Sequence, residues 1–152
     1  MLDLTTILTP ERTLCRAPVV SKKRLFQTAA ALLSDQQAAL REDAVFASLL
    51  EREKLGSTAL GNGVAIPHFR SDRCPSTLGG LITLGRPVDF EAPDQLGVDI
   101  VFILVAPEQH HQEHLDILAG LAKLLSRNDF CHQLRQTTDH HQLYRTATEF
   151  RL

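Results

Sequence analysis

Leu55-Gly56-Ser57-Thr58-Ala59-Leu60-Gly61-Asn62-Gly63-Val64-Ala65-Ile66-Pro67-His68 is the stretch from which the rest of this chain can be read. Three glycines, two hydroxyls and an asparagine lead into a short apolar run that delivers one histidine. Glycine takes up backbone angles that other residues resist and lets main-chain N–H groups approach a ligand closely. Val64, Ala65 and Ile66 read as a brief buried strand, and Pro67, with no N–H to donate, is expected to end its pairing. His68 then stands at the mouth of a strand, with the Ser57 and Thr58 hydroxyls in the loop before it. Such a place suits chemistry on an anion.

On the N-terminal side, residues 13–20 form an opening strand that ends near Pro18. Ser21 is a good N-cap for a helix from Lys22 to about Leu33, with Leu25, Ala29, Leu32 and Leu33 at helical spacing. A second helix covers Arg41 to about Lys54, with Val45, Leu49 and Arg52 along one face and Gly56 just past its end. On the C-terminal side, Leu78–Leu84 and Val98–Val105 are continuous apolar runs that read as buried strands, the second bounded by Pro107. Arg86–Phe90 between them is expected to be a separate, shorter strand.

From Glu108 the helical period returns, placing His114, Leu118, Leu121 and Leu125 on one face with Leu115 and Ala122 beside it. Helical signals continue through Phe130–Gln136 and His140–Phe150. This order predicts one domain of the α/β (α+β) class over residues 1–152, with a core of about residues 10–150. Its architecture is a mixed central sheet flanked by helices on both sides.

Hydrophobic residues make up 43% of the 152 and charged residues 22%, the balance of an ordinary globular protein. Sixteen basic and 18 acidic side chains give a formal net charge of -2, which offers no support for a nucleic-acid partner. No apolar run approaches the ~20 residues of a membrane span, and the first residues lack the pattern of a signal peptide. Cys15, Cys74 and Cys131 are an odd number without CxxC spacing, so small semi-buried thiols in a reducing cytoplasm are expected.

Seven histidines are many for this length. His110, His111, His132, His140 and His141 lie in polar surroundings and read as solvated surface residues. His114 is aimed at the protein body by its helical face, and either it or His68 would by itself be an ordinary hydrogen-bonded histidine. His110-His111-Gln112-Glu113-His114 also matches the H-x-x-E-H pattern of inverted zinc proteases, with His110 and His114 as ligands and Glu113 as base. No downstream third ligand stands out for such a zinc hydrolase, so no metal is assigned.

Taken as a pair, His68 and His114 suit phosphoryl transfer. A neutral imidazole nitrogen attacks phosphorus readily, and the phosphoramidate keeps a high transfer potential. Donors for the new charge would come from Ser57, Thr58, the loop N–H groups and the N-terminus of the His114 helix. Arg52, one turn before the loop, offers a planar fork suited to phosphate. No GxxxxGK[ST] loop is present, and no nucleotide or other cofactor is required if the donor is itself a phosphohistidine.

Ser21-Lys22-Lys23-Arg24, Val45-Phe46, Arg52 through Thr58, and Gly61 through His68 closely resemble the fructose/mannitol-type IIA components of the bacterial phosphotransferase system. Within that family the chain looks most like the nitrogen-regulatory branch. His114-Leu115 and the Leu- and Ala-rich helix after it match the family's second active-site histidine. The resemblance implies that His68 accepts a phosphoryl group from an HPr-like carrier, with His114 hydrogen-bonded to the acceptor or the phosphoryl group and Arg52 beside the site. Ser57, Thr58 and Asn62 match the family loop by position and are assigned to its support.

Phe69 replaces the small residue more usual after the nucleophile, which is expected to alter the rim of the docking surface. No fused IIB or membrane portion is read in the chain. The expected role is therefore regulation of partners, such as sensor kinases or transporter subunits, by phosphorylation state. Passing phosphate to a IIB subunit for sugar uptake is the alternative.

Overall fold

Two long apolar strands carry the sheet. In a computed structural model of the chain, which describes residues 2–35 and 37–151, they are β5 (Leu78–Val88) and β6 (Val98–Pro107), paired antiparallel. β1 (Thr13–Ala17) lies parallel to β5 on one side. On the other side β6 receives β3 (Val64–Ala65) in parallel, and β2 (Ala59–Gly61) closes that edge antiparallel to β3. β4 (His68–Ser71) pairs with the same edge of β6 further along, also in parallel. The sheet is thus mixed, as the sequence implies.

Alternation along β6 explains why its sequence is apolar throughout. Val101, Ile103 and Val105 face a cluster built with Leu25, Phe26 and Leu33 of α1 (Lys22–Asp35) and Val45 and Leu49 of α2 (Glu42–Lys54). Ile100, Phe102 and Leu104 face a second cluster with Leu121 and Leu125 of α3 (His111–Leu125), Phe130 and Leu134 of α4 (Asn128–Gln136), and Leu143 of α5 (His140–Glu149). A strand covered on both faces has no polar side to show. Helices therefore flank the sheet on both sides. Among the described residues no helix is long and apolar enough to cross a membrane.

Local signals account for most boundaries. Ser21 Oγ accepts the Arg24 N–H at 3.2 Å, the cap expected of it at the start of α1. β1 ends at Ala17, with Arg16 at φ 53° in a register shift, rather than running on to Val20. Residues 86–90 do not form a separate strand. β5 continues to Val88 through a register shift at exposed Gly85-Arg86-Pro87, where a proline lacking an N–H disturbs the ladder without ending it. Phe90 lies beyond the strand, its ring edge-on to Phe26 at 5.9 Å.

Pro67 acts in the same way. Pairing along β6 does not end there: Pro67 carries the carbonyl that accepts the Leu104 N–H at 3.0 Å, and His68 opens β4 opposite Leu104. A proline removes one donor from a ladder and leaves its acceptor in place. α3 starts at His111 rather than Glu108, because Pro107 is still in β6 and His110 is the cap residue.

The three cysteines are free and buried, and each thiol donates to a backbone carbonyl: Cys15 to Thr137, Cys74 to Ser76 and Cys131 to Leu125. His110, His111, His132 and His141 are exposed. His140 is also exposed, but it is not merely solvated. Its Nδ1 accepts the Cys15 N–H at 2.9 Å and ties α5 to β1.

Candidate active site

The jump from β3 to β4 across Ile66-Pro67 fixes the orientation of His68. Its Nδ1 lies 2.6 Å from the carbonyl of Ile66, an acceptor only, so Nδ1 carries the proton and Nε2 keeps its lone pair. Parallel pairing with Leu104 puts the ring on the α3 side of the sheet. Phe69, one residue on, faces the other way and packs against the α1–α2 cluster. Alternation along the strand thus turns Phe69 away from the His68 ring.

α3 brings its first turn over the same place. His114 is 5% exposed, and its ring centroid lies 5.7 Å from that of His68 at a tilt of 48°. Its Nδ1 is buried and makes no hydrogen bond with any described residue. A buried nitrogen with no protein partner is costly unless something arrives to use it. Burial foremost, then the charges of His68, Arg70 and His111, push the His114 imidazole down to about 4. Burial also lowers His68 below its ordinary value. The Ile66 hydrogen bond opposes that shift, Arg52 adds to it and Glu53 opposes it. Both rings are therefore neutral near pH 7, as a nitrogen nucleophile and its neighbour must be.

Arg52 reaches the site from the end of α2, where its guanidinium donates to the carbonyl of Gly56 at 3.0 Å. With Ser57, Thr58, Leu60 and His68, and with Leu118 and Ala122 of α3, it lines a cleft of about 220 Å³. His68, His114 and Arg52 thus converge from three elements. Arg52 and His68 line this cleft while the His114 ring packs against that of His68, so a nucleophile, a neutral neighbour and a cation stand together as phosphoryl transfer between histidines needs.

The loop residues do other work than the sequence implies. Ser57 Oγ donates to the Phe90 carbonyl at 2.7 Å and accepts the Ala59 N–H. Thr58 Oγ1 donates to Glu53 Oε1 at 2.7 Å. Both hydroxyl protons are committed to holding the loop, and neither is presented to an anion.

Asn62 is not at the site. With φ 57°, followed by Gly63 at 83°, it forms a two-residue turn of the Asn-Gly hairpin type between β2 and β3. There its N–H donates to Asp94 and its carbonyl accepts from Arg135. Val64 pairs with Ile100 and His68 with Leu104, so this turn lies roughly 13 Å or more along the strand from the nucleophile. The metal pattern loses its geometry as well. His110 precedes the helix and is exposed while His114 is buried, and no group of three potential ligands occurs among the described residues.

Two contributors carry no role in the sequence reading. Arg70 follows His68 on the same face of β4, and its charge reaches His114. Glu53 sits in the last turn of α2, where the helix dipole disfavours a carboxylate, yet its side chain is only 6% exposed. That misplacement on the helix was the signal available in the sequence.

Residues 6–149 match the family model described as "Phosphoenolpyruvate-dependent sugar phosphotransferase system, EIIA 2". The nitrogen regulatory protein of Pseudomonas aeruginosa is 40% identical over 149 residues, covering 98% of this chain and 97% of that protein. The crystal structure of nitrogen regulatory protein IIA-Ntr from Neisseria meningitidis superimposes with a TM-score of 0.87 at 38% identity, over 94% of this chain and 97% of that one. The mannitol IIA protein of Escherichia coli, solved by NMR in complex with phosphorylated mannitol IIB, shares the fold at a TM-score of 0.77 and 21% identity. That alignment covers 94% of this chain and 98% of its counterpart.

Proposed function

The chain belongs to the EIIA type-2 family of the phosphoenolpyruvate-dependent sugar phosphotransferase system, and from that premise we propose that it is a phosphoryl carrier of the nitrogen-regulatory branch. The whole chain, with its core at about residues 10–150, works as one such domain in the cytoplasm. His68 Nε2 attacks the phosphorus of a phosphohistidine on an HPr-like carrier. A nitrogen–phosphorus bond forms at Nε2 as the one to the carrier breaks, and the carrier's nitrogen takes the electron pair. The Nδ1 proton stays on His68, held by the Ile66 carbonyl. The buried His114 Nδ1 is the hydrogen-bonding group for the arriving phosphoryl oxygens, and Arg52 offsets their charge.

The observation that carries this reading is the fixed tautomer of His68, which leaves Nε2 free on a ring 5.7 Å from that of His114, whose Nδ1 has no partner among the described residues. Exposed Leu60 on the cleft and Leu115 next to His114 supply apolar surface for a docking carrier. Phosphorylation adds roughly two negative charges at this spot, enough to change which proteins bind. Sensor kinases and transporter subunits are the targets we assign.

The test is a relay assay with phosphoenolpyruvate, the first enzyme of the relay and the carrier. The wild type is expected to gain one acid-labile phosphoryl group and His68→Ala none. Phosphate uptake by His68→Ala would remove the assignment. Partners retained by immobilised His68→Ala should differ from those retained by His68→Asp, and identical sets would count against a switch. The second reading, transfer onward to a IIB subunit, draws on the IIB complex of the mannitol relative. Loss of label from the phosphorylated chain to an added IIB domain would favour it.

A further inference from the structure

Glu53 is tied to the loop more heavily than any other acidic side chain near the site. Its Oε1 accepts the Thr58 hydroxyl at 2.7 Å, and its Oε2 accepts the Thr58 N–H at 3.2 Å. The same Oε2 is 3.0 Å from Lys22 Nζ of α1, which stands over the Phe90 ring at 4.9 Å. A nearly buried carboxylate with partners at both oxygens is held in one orientation.

The line of contacts continues from Thr58 to the nucleophile. The Thr58 carbonyl accepts the Ile66 N–H at 3.1 Å, and the Ile66 carbonyl takes the His68 Nδ1 proton at 2.6 Å. Three hydrogen-bonded steps therefore join the Lys22–Glu53 pair to His68. They run from the Thr58 hydroxyl and amide to the carboxylate, from the Ile66 N–H to the Thr58 carbonyl, and from the imidazole to the Ile66 carbonyl.

We propose that Glu53 is a positioning residue for His68. Paired with Lys22, it clamps Thr58, whose carbonyl holds the Ile66 N–H and so positions the residue whose own carbonyl selects the Nδ1–H tautomer and presents Nε2. Glu53 touches neither the reacting nitrogen nor phosphate. Its effect is on how often His68 is aimed, so it acts on turnover and leaves carrier docking alone. This role rests on the phosphoryl-acceptor reading of His68.

The test uses Glu53→Gln, Thr58→Val and Thr58→Ser in the full chain, with the histidine-phosphorylated carrier as donor. Phosphorylation of the wild type at His68 is scored first, and its absence would overturn the function itself. Given that phosphorylation, ring-nitrogen NMR of unphosphorylated protein reads the tautomer directly. Glu53→Gln and Thr58→Val are expected to show mixed His68 tautomers and kcat lower by roughly 10-fold at unchanged KM for the carrier. Thr58→Ser, which keeps the hydroxyl, should restore both.

If Glu53→Gln yields too little folded protein, Thr58→Val carries the test alone, since it leaves the Glu53–Lys22 pair in place. Folded variants that keep one Nδ1–H tautomer and wild-type kcat would overturn the role. So would a loss confined to KM.

Discussion

His114 carries the clearest charge consequence at the residue level. Its imidazole is held down to about 4 by burial, whereas in the unfolded chain it titrates near 6.5. Below pH 6.5 the unfolded state binds a proton that the folded state refuses, so stability is complete above that pH and falls as pH drops toward 4. Allowing for solvent screening, about 2 kcal/mol should be lost across this window. Urea midpoints measured from pH 7 to 4 should show the decline, and His114→Gln should flatten it. An unchanged slope in that variant would place the proton elsewhere.

Asn62 tests the opposite boundary of the site. It was legible as a loop residue, but Asn-Gly before an apolar run marks an anion loop and a hairpin turn equally well in sequence. The register of β3 on β6 decides between them. Asn62→Ala should cost about 1 kcal/mol, because alanine at φ 57° is strained, and leave the rate of phosphate uptake unchanged. A large fall in rate with the fold intact would return Asn62 to the site.

Among the elements, the hairpin of β2 and β3 and the split edge of β3 and β4 did most to build the cleft. A Cβ on Gly63 would lie 2.6 Å from Arg135 and 2.9 Å from Asp99, whose ion pair braces the turn at 2.9 Å. Gly63→Ala should therefore destabilise by about 1–3 kcal/mol, measured by urea unfolding, through both backbone strain and loss of that brace. Helices were the most legible elements, since Ser21 and the spacing of Leu25, Ala29 and Leu33 specify α1 locally.

Strand continuity was less so. Pro67 looks like a terminator in sequence and residues 86–90 like a separate strand, yet β6 supplies partners on both sides of each break. Glu53 was hidden for a similar reason. Its partners Thr58 and Lys22 lie five residues and one helix away, and only packing of α1 on α2 brings Lys22 to it.

At the scale of the whole molecule, β5 and β6 belong to both hydrophobic clusters, so neither layer can melt while the other stays intact. The chain has one tyrosine and no tryptophan, and Tyr144 packs on the α3–α5 side. Phe26→Ala, on the α1 side, should lower stability by about 3–5 kcal/mol and shift the Tyr144 fluorescence transition as far as the far-UV circular dichroism transition. Separate midpoints would mean the layers unfold independently. This shared sheet also explains how residues from α2, β4 and α3 hold one cleft: all three are referenced to β6.

The most direct measurement is nitrogen–phosphorus coupled NMR of the chain after phosphorylation by the carrier relay. The expected result is a single phosphorus bonded to Nε2 of His68, with the Nδ1 proton still present and hydrogen-bonded. Phosphorus on Nδ1 of His68, or on His114 or any other residue, would contradict it.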